Sequence, residues 1–177
     1  MDLSQFRIET ERLRLVPVST RYSEHILLEY RDPVIQFMNY GPPESLAILE
    51  KRIGEREAGM KEGIRLSVAI LSKEAGEFLG CFALEGIDQE NPEMGGWLKE
   101  SAHGRGYGRE AAAGIRKWAD ANLQYNHILW PCASENAPSR KLAESLGGTV
   151  GREYIKKTAR GNLRPFVDYW IPKNEEE

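Results

Sequence analysis

The chain has 177 residues, 41% of them hydrophobic and 29% charged, with a formal net charge of −3. Surface scaling lets a chain of this size bury about 70% of its open-chain surface, so one domain over 1–177 is expected, without a metal or disulfide staple. Whole-chain disorder, collagen-like repeats and coiled coil are excluded, and the slight acidity argues against binding that rests on nucleic-acid phosphates.

In chain order, the stretch from Phe6 to Ser19 contains an alternation, Arg12-Leu13-Arg14-Leu15, that reads as a strand. Ser19 or Thr20 caps a predicted helix running to about Tyr30, with Tyr22, Ile26 and Tyr30 on one face. Asp32-Pro33 restarts a short helix with Pro at its first position, and Asn39 to Pro43 breaks it. Leu46, Leu49, Ile53 and Met60 carry the helical spacing of a second helix. Two strands follow, one with Leu66, Val68 and Ile70 alternating and one over Phe78 to Leu84. Glu93 to Lys99 is the next strand, and a helix with Ala111, Ile115 and Trp118 inward runs to about Asn122. Ile128 to Cys132 is a short buried strand. Asn136 caps a helix carrying Leu142, Ala143 and Leu146, which Gly147-Gly148 ends. Thr149 to Lys156 and Leu163 to Ile171 form a final hairpin, and the terminal Lys-Asn-Glu-Glu-Glu is expected to fray. That order gives a mixed sheet covered by helices.

No apolar run approaches the roughly 18 residues of a membrane span, and the opening residues, with an early acid and no apolar core, do not read as a secretory leader. Cys81 and Cys132 form no disulfide framework and suit a reducing, cytoplasmic compartment. His25, His103 and His127 are scattered without metal-ligand spacing, so no metal is expected.

The most informative segment is His103 to Arg109, between a strand and a helix. Gly104, Gly106 and Gly108 let the backbone turn tightly and approach a ligand closely. The free amides and dipole of the helix that opens there favour an anion, and Arg105 and Arg109 add charge, so a pyrophosphate cradle competes with a plain glycine-rich helix start. The dinucleotide fingerprint would need glycine at Arg109, and the P-loop Gly-Lys-Ser/Thr is missing. One strand later comes Asn136 with Ser139 three residues on, which by itself reads as a well-capped surface helix. No Gly-x-Ser-x-Gly elbow supports Ser139 with His127 as a hydrolase pair, and Cys132 reads as a small apolar strand residue as readily as a nucleophile.

Taken in order, these motifs resemble the GNAT superfamily of acyl-coenzyme A N-acyltransferases, over about Ile8 to Ile171. The opening Ile8 to Ser19, the stretch Glu135 to Gly148, and Glu93 to Leu98 look like the ribosomal-protein-alanine N-acetyltransferase, or Rim-type, branch. The resemblance implies a mostly antiparallel sheet of about seven strands, splayed between the fourth, at Glu93 to Lys99, and the fifth, at Ile128 to Cys132. It implies acetyl-coenzyme A as co-substrate and direct attack by an amine, without an acyl-enzyme. Backbone amides near Trp97 and Leu98 would polarise the thioester carbonyl. His103, Arg105, Gly106, Tyr107, Gly108 and Arg109 would hold the pyrophosphate, Asn136 the pantetheine arm, and Ser139 would stand near the sulfur. Glu93 and Glu85 are the two candidates for the base. Three positions depart from the pattern: His103 replaces Arg or Gln, Gly96 replaces an aromatic and would widen the acceptor side, and Trp130-Pro131 would reshape the floor.

The acceptor expected is a protein or peptide N-terminal α-amine. A small amine drawn by Glu85, Asp88, Glu90 and Glu93 is the alternative, and a module that binds acyl-coenzyme A without turnover is a third. A monomer or a homodimer, with neither membrane nor direct nucleic-acid partner, is expected.

Overall fold

A computed structural model describes residues 1–174; Glu175, Glu176 and Glu177, part of the tail expected to fray, lie outside the described residues. The strands are β1 (Ile8–Glu9), β2 (Leu13–Pro17), β3 (Arg65–Ser72), β4 (Phe78–Glu85), β5 (Glu93–Leu98), β6 (His127–Ala133), β7 (Thr149–Lys157) and β8 (Leu163–Pro172). The helices are α1 (Ser23–Glu29), α2 (Leu46–Glu62), α3 (Tyr107–Asn122) and α4 (Ala137–Ser145). One eight-stranded sheet runs β1-β2-β3-β4-β5-β6-β8-β7, antiparallel except between β5 and β6. The extra strand over the expected seven is the two-residue β1, which pairs with β2.

Two apolar layers cover the sheet. Leu66, Val68, Ile70, Phe82 and Leu84 point to the side covered by α3 and α4, where Ala111 and Ile115 are also buried. Ala69, Leu71 and Cys81 point to the other side, against Ile26, Leu49 and Ile53 of α1 and α2. Leu66 to Leu71 are therefore all buried, and the expected alternation of β3 vanishes because helices cover both of its faces.

Several expected starts and ends differ. Ser19 makes no side-chain cap; a 3-10 turn over Thr20–Tyr22 leads into α1 at Ser23. Pro33 stands just before a 3-10 turn at Val34–Phe37 and not inside a helix. Ser45 caps α2 by accepting from the Ile48 amide (3.3 Å), and Gly63, in the left-handed region, ends it. Leu46 stays exposed at the first position of α2. Trp118 is half-buried, edge-on to Phe6 with ring centroids 5.2 Å apart.

The opening of the sheet follows from backbone parity. The Leu129 amide donates to the Pro92 carbonyl (2.8 Å) and the Ser134 amide to the Pro165 carbonyl (2.9 Å). Odd residues of β6 thus turn their backbone groups towards β5, and even ones towards β8. Pro131, on the odd side, has no N–H to offer β5. The two strands register only at Glu93 with Leu129, then part.

Candidate active site

The glycine turn closes onto the end of β5. Gly104 (φ +70°) and Gly106 (φ +78°) both occupy the left-handed region, where a side chain would be strained. Gly106 sits just before α3, and its carbonyl accepts the first bond of that helix, from the Glu110 amide (3.1 Å). Among the described residues, the amides of Gly104 through Arg109 have no acceptor, and Arg105 and Arg109 are exposed beside them. This is a fit for a diphosphate: a run of unclaimed N–H groups at a helix start with cationic neighbours. The His103 ring turns elsewhere; its Nε2 donates to the Leu98 carbonyl (2.8 Å) and ties the turn to β5.

A network that local spacing does not reveal braces this turn. Glu110 Oε1 accepts from the Thr10 hydroxyl (2.5 Å) and the Arg12 amide (2.7 Å), and Oε2 accepts from Arg12 Nε (2.7 Å). Arg12 Nη1 donates to the Arg105 carbonyl (3.0 Å), and its guanidinium lies 4.7 Å from the Tyr107 ring centroid. Burial pushes the Glu110 carboxyl up, but the Thr10 and Arg12 bonds outweigh it and hold the group below its ordinary value.

The gap between β5 and β6 opens into a cleft of about 740 Å³. Asn136 and Ser139 line it from the α4 side, and Tyr30, Arg52 and Arg56 from the α1–α2 side. On β5 the Lys99 amide donates to the Leu79 carbonyl (2.8 Å), so parity turns the Trp97 amide towards β4 and the Leu98 and Gly96 amides into the gap. Of the expected pair, the Leu98 amide turns to the β6 side of the strand, while Trp97 lines the cleft with its ring packed on Tyr30 (5.1 Å) and Phe78 (5.9 Å).

Asn136 Oδ1 accepts from the Ser139 amide (3.3 Å), which leaves its NH2 facing the cleft without a protein acceptor among the described residues. Trp130 Nε1 donates to Ser139 Oγ (2.9 Å). That bond occupies an acceptor position of the hydroxyl and leaves its own proton free to be donated. Cys132 lies close by, and burial pushes its thiol up; burial pushes Cys81 up to about 12. Both are neutral thiols at physiological pH, poorly suited to form an acyl-enzyme.

The two carboxylates proposed as base have different surroundings. Arg65, Glu85 and Glu93 form a row across β3, β4 and β5, on the face under α2. Arg65 donates to Glu85 and pairs with it. Glu93 has no ion-pair partner among the described residues and lines the cleft. Its surface reaches solvent, but the cleft walls thin the water around its carboxyl and push it up; Lys156 opposes this, and Asp168 and Glu85 add to it. Asp88 and Glu90 do not line the cleft, so the four acids expected to gather a cation are dispersed.

Gly96 does not widen the acceptor side. A Cβ there would point to the α3 side and lie 2.0 Å from Phe82 Cδ1, so the Phe82 ring already fills that space. Phe82 meets the Trp130 ring edge-on at 6.1 Å, and this pair floors the gap.

The family profile described as "Acetyltransferase (GNAT) domain" matches residues 12–149. The chain belongs to the GNAT acetyltransferase family. This GNAT acetyltransferase is 30% identical over 173 residues to the uncharacterized N-acetyltransferase p20 of Bacillus licheniformis, covering 94% of this chain and 96% of that protein. Its fold is shared with a ribosomal-protein α-N-acetyltransferase solved with coenzyme A (TM-score 0.82, 16% identity, 94% and 97% of the two chains covered). It is also shared with a GNAT-family acetyltransferase from Bacillus anthracis (TM-score 0.79, 19% identity, 96% and 100% covered). A Salmonella typhimurium acetyl transferase, described as modifying the N-terminal serine of a 50S ribosomal protein, has the same fold (TM-score 0.78, 16% identity, 93% and 97% covered). As a GNAT N-acetyltransferase the enzyme uses acetyl-coenzyme A. Among the described residues no cluster of His, Cys, Asp and Glu could hold a metal, and no helix is long and apolar enough to cross a membrane.

Sequence reasoning missed Arg12, Thr10 and Glu110 as braces of the glycine turn, and the Trp130 indole as the partner of Ser139. A helix-start Glu beside a basic strand was a faint signal for the first group; nothing in the local pattern pointed to the second.

Proposed function

We propose that the enzyme transfers the acetyl group of acetyl-coenzyme A directly to the α-amine of a protein or peptide N-terminus. The observation that carries the reading is the continuity of the cleft through the β5–β6 gap. It lets a thioester approach from the α3–α4 side and an amine from the α1–α2 side, so the two meet between strands.

The bond balance is simple. The neutral amine attacks the thioester carbonyl carbon, a C–N bond forms and the C–S bond breaks. The Leu98 and Gly96 amides stand where the carbonyl oxygen gathers charge. The amine's proton passes to Glu93 through a chain of waters along the cleft, since Glu93 stands at the far end of β5 from Leu98, and the departing thiolate takes the Ser139 proton, which the hydroxyl recovers from solvent. The amides of Arg105 to Arg109 hold the pyrophosphate, with the Arg105 and Arg109 side chains beside it, and the Asn136 NH2 meets the pantetheine arm.

An α-amine of pKa about 7.8 is already roughly 10–15% neutral at pH 7, whereas a lysine amine is well below about 0.1% neutral. A single partly solvated carboxylate such as Glu93 is enough help for the former. The two similar folds described as acting on ribosomal-protein N-termini support the same acceptor. The two unpaired, buried thiols fit a reducing, cytoplasmic setting.

Thiol release from acetyl-coenzyme A is the test, with peptides bearing free N-termini, N-terminally blocked peptides containing lysine, and polyamines. Release with free N-termini, and little with the other two, is expected. Faster release with blocked lysine peptides or polyamines overturns the acceptor assignment.

A further inference from the structure

We propose that the acceptor carries a carboxylate close behind its amine, and that Arg56, with Arg52 one turn earlier on α2, receives that carboxylate inside the cleft. The inference rests on the amine-acceptor reading above and narrows its substrate class to acidic N-termini.

Of the half-buried arginines, Arg14, Arg65, Arg116, Arg140 and Arg164 each donate to an acceptor in the protein. Arg56 is half-buried too, yet among the described residues it has neither a hydrogen-bond acceptor nor an ion-pair partner. A cation partly withdrawn from water without an anion is unfavourable, so such a group points to a ligand that completes it.

Its position fits an acceptor. Arg56 lines the cleft, on the α1–α2 side of the gap. Its charge is felt at Cys81, which pairs across the sheet with Trp97, and at Tyr30, where burial still pushes the phenol up to about 12. Arg52 also lines the cleft and is exposed, and Lys156 of β7 lines it too, with its ammonium 5.1 Å from the Phe166 ring centroid. Of the carboxylates that line the cleft, Glu85 is held by Arg65, Glu93 lies at the far end of β5 from Leu98, and Glu55 pairs with neither guanidinium. The cleft lining thus carries four cations, Arg52, Arg56, Arg65 and Lys156, against three carboxylates, a slight positive excess in a protein of net charge −3. A guanidinium fork matches a carboxylate with two parallel N–H···O bonds, which favours an anion of that shape. An acidic residue just behind a free N-terminus supplies it; the α-carboxylate of a free amino acid is the other source.

The test uses the whole chain and reads binding separately from turnover. Fluorescence anisotropy compares labelled, C-terminally amidated peptides with free N-termini, identical except for Glu or Gln at the second and third positions. The Glu peptide is expected to bind roughly tenfold to a hundredfold more tightly, the range of one hydrogen-bonded charge pair. Arg56→Gln should abolish the difference, Arg56→Lys should keep part of it, and Lys51→Gln, elsewhere on α2, should leave it intact. Equal affinity for the two peptides, or a preference that survives Arg56→Gln, overturns the inference even if both peptides are acetylated. In thiol-release assays, turnover of free acidic amino acids in place of peptides, with the same dependence on Arg56, upholds carboxylate recognition and overturns the N-terminal acceptor.

Discussion

Replacing Gly96 with Ala tests the packing of the site floor. An ideal Cβ at 96 lies 2.0 Å from Phe82 Cδ1, 2.6 Å from Phe82 Cγ and 2.5 Å from the Cys81 carbonyl oxygen. Carbon contacts settle at about 3.5–4.0 Å, so the ring must retreat by roughly 1.5 Å or more. The ring is confined between Trp130 across the gap and α3 above, where its Cζ lies 3.9 Å from a Cβ position at Gly108, and the Cys81 carbonyl belongs to β4, which is paired on both sides. Overpacking of this kind costs about 1–3 kcal/mol. Without a clash, the same change would stabilise by about 0.4–1 kcal/mol through the unfolded chain, so the sign alone separates the two cases. For a domain of this length the expected loss is roughly 2–12 °C in Tm. Since the Gly96 and Leu98 amides face the gap, KM for acetyl-coenzyme A should rise as well. Thermal melts read by circular dichroism and initial rates of thiol release check both. Phe82→Val removes the nearest ring atoms, so the double variant should be less destabilised than the sum of the two singles. A Gly96→Ala protein with an unchanged or higher Tm, and a change confined to acceptor KM, would show that Gly96 opens the acceptor side and refute the packing account.

Ser139→Ala should lower kcat by roughly tenfold to a hundredfold, the low end of general-acid effects, with KM for acetyl-coenzyme A little changed, as steady-state rates would show. Trp130→Phe keeps the ring and removes the bond to Ser139, so kcat should fall by roughly twofold to tenfold. Adding it to Ser139→Ala should do little more. Glu93→Gln should lower kcat/KM and make the acid limb of its pH profile less steep, leaving the part set by protonation of the acceptor amine; the part that is lost lies above the ordinary glutamate value of 4.5 because the carboxyl is pushed up. The raised carboxyl makes ionised Glu93 unfavourable to the fold above its folded pKa, so the same variant should melt higher at pH 7. Glu110→Gln should cost about 1–3 kcal/mol and raise KM for acetyl-coenzyme A. Glu110 titrates below its ordinary value of 4.5, so its stabilisation is complete above that pH and fades as the pH falls below it. The Tm deficit of the variant, followed by calorimetry, should shrink in that acid range.

The parts of the site legible in the sequence are those built from neighbours along the chain. Gly104 and Gly106 could be read because a tight turn into a helix needs left-handed residues at those places. Asn136 could be read as a cap because its bond to the Ser139 amide spans one helical turn. The alternation in β3 was readable but misleading, since a strand between two helical layers buries both its faces. Arg12 and Glu110 stand 98 positions apart and meet through the packing of α3 on the N-terminal strands. Glu85 and Glu93 looked equivalent as strand-end carboxylates, and the register of β3 and β4 alone brings Arg65 to the first, while the second has no ion-pair partner among the described residues.

Periodicity, caps and glycines determined the succession of strands and helices and the anion-binding turn, because each depends on hydrogen bonds and dihedral angles within a few residues. The tertiary structure decided which charges are answered. It set Arg56 in the cleft without a partner among the described residues, gave Ser139 Oγ a donor in Trp130, and opened the sheet beside Pro131. Those outcomes depend on strand register and helix packing, which bring together groups that no short spacing relates.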